Sequence, residues 1–281
     1  MDALSQAIGM GWGLVARKSK RISFEDWVKG LPFDERLTHA RQALEGVNNV
    51  AHFLNSLHAT NQIVLYSDVL SSQVGRSYAA NAYHTFTRGL QEIELVRLCS
   101  LWDRGERDAF SIPTVIDLID NNDVIECISR LAGETRRYVH DPERPLGETE
   151  EDREIIRKAL IRMGEREERQ ERRRTCVVTR RTIREAREIS RSETLRNVVN
   201  FRNKYIAHAT GLTRRERDEG NGPLPIPKLG DETELLVKTL KIIERLDQRV
   251  RGVSFMWDDS REIERRNAEY LWRGVTIKVL R

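Results

Sequence analysis

Leu195-Arg-Asn-Val-Val-Asn-Phe-Arg-Asn-Lys-Tyr-Ile-Ala-His-Ala-Thr210 reads as a single amphipathic helix with a cation set into its apolar face. At roughly 100° per residue, Leu195, Val198, Val199, Phe201, Tyr205, Ile206 and Ala209 share an arc of about 160°, wide enough for a core-facing stripe. Arg202 falls near the middle of that arc, with His208 at one edge and Asn203 at the other. A guanidinium keeps its charge and is costly to bury without partners. Two arrangements satisfy it. Either it pairs inside the fold with an acid such as Glu94 or Asp103, or the face is an interface or cleft where an anion docks.

The chemistry of the second arrangement is specific. Histidine exchanges protons near neutral pH, so His208 is suited to take a proton from a ribose hydroxyl or to give one to a leaving oxygen. Arginine stabilises charge developing on a phosphate, which fits Arg202, and Asn203 can orient either group. Nothing in this set requires a metal or a cofactor. One geometric objection stands: six residues correspond to roughly 120° around an ideal helix. A single straight helix therefore does not aim Arg202 and His208 at one point. A crossing second helix, fraying near Ala209-Thr-Gly211, or residues drawn from two packed copies of the chain would resolve it.

Outward from the motif, Ser190-Arg-Ser-Glu193 has the form of a capping box that opens the helix, and Gly211 closes it. Upstream, residues 1–33 form a lead-in of little periodicity ended by Gly30-Leu-Pro32. Apolar residues then recur at helical spacing from Asp34 to about Ala59, and a shorter helix is expected from Ile63 to about Val74. Ser77 to Asp103 is again helical, with Gly105 suited to a left-handed cap. Ser111-Ile-Pro113 starts the next helix. Residues 134–191 are dominated by arginine and glutamate, reaching Glu165-Arg-Glu-Glu-Arg-Gln-Glu-Arg-Arg-Arg174. Thr149-Glu-Glu-Asp152 caps a helix there, read as a solvated rod laced by i,i+4 ion pairs rather than an RNA-binding arm, since the glutamates would screen phosphate. A polar loop spans Arg214 to Gly222, and Asp231 caps a last core helix. Residues 252–281 form an extension: a charged helix from Asp258 to Trp272, then Val275-Thr-Ile-Lys-Val-Leu280 alternating like an edge strand.

Composition excludes several classes. The chain has 281 residues, 39% hydrophobic and 33% charged, with only seven prolines, as expected of a mainly helical protein. Because 48 basic residues face 44 acidic ones, the net charge of +4 is weak support for a polyanionic partner. Cys99, Cys127 and Cys176 lie far apart with no paired spacing, which predicts free thiols and no zinc site. No apolar run reaches the roughly 18 residues of a membrane span. The basic cluster Arg17–Arg21 comes after the apolar N-terminal stretch, the reverse of a secretory signal. A cytoplasmic location is expected. Histidines 39, 52, 58, 84 and 140 have no companion set in the sequence.

Arg202-Asn-Lys-Tyr-Ile-Ala-His208 resembles the HEPN signature: an arginine, a polar residue and, a few positions on, a histidine at the end of a core helix. Tyr83 to Arg104, ending Leu101-Trp-Asp-Arg, together with Ser111-Ile-Pro-Thr-Val-Ile-Asp-Leu-Ile119, is similar to the AbiU-type abortive-infection branch of HEPN proteins. So is the spacing from Ala207-His208 to Leu229-Gly-Asp-Glu-Thr-Glu-Leu235. The likeness covers roughly residues 40 to 250. It implies an all-α HEPN-like bundle over residues 34–251, with the charged helical insertion at 134–191, the motif helix at 191–210 and the appendage at 252–281. It further implies a homodimer with motifs facing across the interface, and metal-independent endoribonuclease activity in defence or as a toxin. Arg202 would be the phosphate stabiliser, His208 the acid or base and Asn203 the polar companion. RNA would be the substrate and an antitoxin or defence protein a partner. The alternative is a non-catalytic HEPN-type module that binds RNA, a nucleotide or a protein. Thr210 stands where some HEPN toxins carry a tyrosine, so control by modification there is not expected.

Overall fold

Leu37, Ala40, Leu44, Val47, Ala51 and Leu54 recur every three or four residues, and in the computed structural model they form the buried face of helix α2 (Phe33–Val64). The structure describes residues 22–137, 149–208, 211–219, 225–228 and 230–279. Helix α2 is the axis of an all-α bundle. Against it pack α4 (Ala79–Ser100), α5 (Ile112–Ile119), α6 (Asn122–Glu134), α10 (Asp231–Leu246) and α11 (Trp257–Trp272). One contiguous apolar core joins Leu44 and Leu54 to Leu98, Ile112, Ile128, Val198, Leu236 and Leu240. Truncating Leu44 or Leu54, both 0% exposed, would cost about 2–5 kcal/mol through lost contacts and the cavity left behind.

Several boundaries differ from those the periodicity suggests, each for a local reason. The lead-in contains α1 (Phe24–Gly30), because the Ser23 hydroxyl accepts from the Asp26 amide and caps it. Helix α2 runs through Ile63 to Val64, so the second short helix shrinks to α3 (Ser71–Val74). Asn121 caps the unforeseen α6 by accepting from the amides of Asp123 and Val124, and Val124, Ile125 and Ile128 bury its apolar face. Gly105 has no positive φ. Its role is close approach: a Cβ there would lie 2.7 Å from the Phe24 ring. Asp231 is the first residue of α10 rather than its cap, which is Gly230 at φ 95°. Among the described residues no strand forms, and 275–279 run without one, since no neighbouring strand offers a ladder. Met1 to Arg21, Ala209 and Thr210 lie outside the described residues.

The arginine- and glutamate-rich segment forms α7 (Glu150–Ser190), 41 residues long, with the Thr149 hydroxyl accepting from the Asp152 amide as its cap. Ion pairs at i,i+4, such as Lys158–Glu154 at 3.0 Å and Arg181–Glu185 at 2.7 Å, line its outer face as its spacing suggests. Its second half is not merely solvated. Thr175, Thr179, Thr182, Ile183 and Ala186 are buried against α5, α6 and α10, and Arg249 binds Glu171 at 2.8 Å and Thr175 at 3.1 Å. The C-terminal residues pack as well. Trp257 is 2% exposed beside His52 and Phe255, and α11 lies along α2.

Candidate functional site

The motif helix starts two residues later than the capping-box pattern suggests. Ser190 is the last residue of α7, and Ser192 caps α8 (Glu193–Phe201) by accepting from the Leu195 amide at 3.2 Å. Leu195 and Val198 enter the core as their spacing requires. The regular helix then ends. Arg202–Ala207 forms a wide π-helical turn, and the chain leaves at His208 with φ −128° and ψ −10°. A π turn holds one residue more than an α turn, rotating the residues after it by roughly 100°. Tyr205, inside the turn and expected on the apolar arc, is 44% exposed, whereas Ile206 still packs against the core.

Arg202 meets one of the two acids foreseen for it. Its Nη1 donates to Asp103 Oδ1 at 3.0 Å and Oδ2 at 3.3 Å, and its Nε donates to Asn203 Oδ1 at 3.0 Å. Glu94, the other candidate, is occupied by His58. The pair is not sealed: the Arg202 side chain is 18% exposed and that of Asp103 46%. Asp103 is held in place by its own loop. Trp102 Nε1 donates to Thr239 Oγ1 at 2.9 Å, and the Ile112 amide donates to the Leu101 carbonyl at 2.8 Å. Phe110 lies over Gly46 of α2, so closely that a Cβ there would collide with its ring. Beneath the pair, burial pushes the Cys99 thiol up to about 12, so it stays protonated and chemically quiet.

His208 is the exposed C-cap of the turn, and its imidazole makes no hydrogen bond or ion pair with any described residue. The structure thus joins Arg202 to Asn203, and His208 hydrogen-bonds neither. Since His208 has left the helix, the 120° objection for an ideal helix no longer fixes where its ring points.

A second cluster, on the other flank of the same turn, is not apparent from residue spacing. Lys204, 7% exposed, donates from Nζ to Glu216 Oε1 at 3.2 Å. Asn200 Nδ2 donates to the same oxygen at 3.0 Å, and the Thr213 amide donates to Glu216 Oε2 at 2.9 Å. The Thr213 hydroxyl in turn donates to Asn200 Oδ1 at 2.6 Å. Thr213 and Glu216 form a reciprocal capping box for α9 (Arg214–Glu219), a helix where a polar loop was expected. The signal was present as Thr213-Arg-Arg-Glu216. The network ties the chain beyond His208 back onto the motif helix.

Among the described residues no three histidines, cysteines or acids gather as a metal site, and the three cysteines are free. No described helix is long and apolar enough to cross a membrane. No curated protein and no solved structure matches the chain significantly. A family described as AbiU2 does match, over residues 30–271, reaching further at both ends than the 40–250 likeness seen in the motifs. With nearly the whole bundle inside that match, from the end of α1 to α11, the chain belongs to the HEPN_AbiU2 family.

Proposed function

We propose that the protein is a metal-independent endoribonuclease of a defence or toxin–antitoxin system, with Arg202 and His208 as its catalytic pair. The observation that carries this reading is the half-open setting of Arg202. Its guanidinium is oriented by Asp103 and Asn203 yet lies at the edge of the fold, where a phosphate can compete for its remaining N–H groups. Arg202 then stabilises the charge gathering on the phosphate oxygens as the ribose 2′-oxygen attacks phosphorus. The 2′-hydroxyl proton passes to an imidazole and the 5′-oxygen leaves with a proton from a second acid. His208 supplies one of these transfers. Two copies packed face to face would supply both, and a homodimer is the assembly this chemistry favours. Asn203 serves as a positioning residue for the guanidinium.

The Arg202–Asp103 ion pair also favours a second reading. A cation already neutralised in the free chain suits a non-catalytic HEPN-type module that binds RNA, a nucleotide or a protein partner. Expression of the wild-type chain beside the Arg202→Ala and His208→Ala variants separates the two. Growth arrest with fragmented RNA, abolished by either substitution at equal protein level, is the expected result. Intact RNA at full expression of the wild type would remove the catalytic reading.

A further inference from the structure

A second polar centre lies on the α4 side of the motif helix, and the cleavage chemistry does not use it. Glu94 is 1% exposed, with His58 Nδ1 and Asn61 Nδ2 each 2.5 Å from one of its carboxylate oxygens. Gln62 Nε2 stands 3.1 Å from His58 Nε2, so His58 is held at both ring nitrogens and in turn holds Glu94. Glu94 is therefore immobile, and a carboxylate accepts about four hydrogen bonds, so two acceptor positions stay open. It lines a cavity of about 240 Å³ whose walls also hold Tyr66, Gln91, Phe201, Lys228 and Glu232. Burial, the nearby Glu232 and Glu94 and a hydrogen bond to Glu232 push the Tyr66 phenol up, so it stays protonated and braces the Glu232 carboxylate. Phe201 directly precedes Arg202, so the cavity lies at the same end of the motif helix as the guanidinium.

The geometry points to this cavity as a base-recognition site for a guanine of single-stranded RNA, next to the phosphate bound by Arg202. This rests on the reading of Arg202 and His208 as an RNA-cleaving pair. Two carboxylates repel a phosphate, so the occupant is uncharged or cationic. The volume falls below the 300–1,000 Å³ typical of whole-ligand pockets and suits one ring system. Phe201 offers a face for stacking. A fixed carboxylate with two open acceptor positions selects two parallel N–H donors, which guanine presents at N1 and N2. Adenine and cytosine place a ring-nitrogen acceptor beside their amino group, and uracil flanks its single N–H with carbonyl oxygens. Lys228 or Gln91 can donate to the guanine O6.

The test measures binding to the full-length His208→Ala protein, which separates recognition from cleavage. Four oligouridine strands carry a single central guanosine, inosine, adenosine or cytidine. The guanosine strand is expected to bind about tenfold more tightly than the adenosine and cytidine strands, the value of one bidentate pair. Inosine, which lacks only the N2 amino group, should lose most of that advantage. Glu94→Gln should level the four. If Glu94→Gln fails to fold, the inosine strand decides, because it alters only the RNA. Equal binding of all four strands overturns the proposal, as does displacement of RNA by an arginine-containing peptide without base preference. Wild-type cleavage blind to the base would likewise remove the cavity's role while leaving catalysis intact. Guanosine-selective binding without any cleavage would keep the cavity and remove the catalytic reading.

Discussion

Arg202 and Lys204 stand two residues apart in one π turn, each paired with a carboxylate, yet their surroundings are opposite. Lys204 and Glu216 are sealed, with side-chain exposures of 9% and 0%, and Asn200 and Thr213 also hydrogen-bond the Glu216 carboxylate. Arg202 faces a carboxylate that is 46% exposed and hydrogen-bonds only one further side chain, Asn203. The sealed pair can do nothing but hold the chain together, because water and ligands do not reach it. The open pair is only partly shielded from solvent, so water and solutes can reach it. The wide turn makes this division possible by presenting both cations within one turn, on separate flanks.

Substitutions at these two positions should therefore separate activity from stability. Arg202→Ala is expected to lower RNA cleavage by about 10²–10³-fold while costing about 1 kcal/mol or less in urea unfolding, as for an exposed ion pair. Lys204→Ala should do the reverse. It removes the buried Lys204–Glu216 ion pair and should cost about 3–5 kcal/mol, read as a lower urea midpoint. Equal stability losses at the two positions would break the contrast. Asp103→Asn sharpens it: the amide keeps an acceptor for Arg202 but removes the competing charge. RNA binding at low salt is expected to strengthen by about two- to fivefold, an exposed pair being worth roughly 0.5–1 kcal/mol.

Two smaller effects lie away from the turn. Partial desolvation against the Phe255 and Trp257 rings pushes the His52 imidazole below its ordinary value, only partly opposed by Asp247 and Glu264. The unfolded chain then binds the proton more readily, so stability is full above about pH 6.5 and declines as pH falls through that value. Denaturant unfolding at pH 8, 6 and 5 should show part of this decline disappear in His52→Phe. The smallest effect is chemical. At pH 8 a maleimide should label Cys127 and Cys176, both partly exposed, and spare Cys99, whose thiol lies at about 12 under the Arg202–Asp103 pair. Fast labelling of Cys99 would show that the pair opens readily.

The architecture was legible because apolar spacing reports which face of a helix is buried, and α2, α5 and α10 obey it closely. Arg202 stood out for the same reason, as a charge on an apolar arc. What the sequence left undecided depends on how helices meet. The choice of Asp103 over Glu94 is set by how α4 lies against the turn, and a π turn leaves no mark in residue spacing. Lys204 reads as an ordinary surface lysine until α9 folds back and brings Glu216 to it. Glu94 and His58, 36 residues apart, show no relation until α2 and α4 pack side by side.

Purified protein incubated with single-stranded RNA in excess chelator tests the catalytic pair most directly, comparing the wild type with His208→Ala at matched helical content. Cleavage by the wild type without added metal, falling by about 10²–10⁴-fold in His208→Ala, is the expected result. Cleavage that persists undiminished in His208→Ala, or that ceases in the wild type once metal is withdrawn, would contradict it.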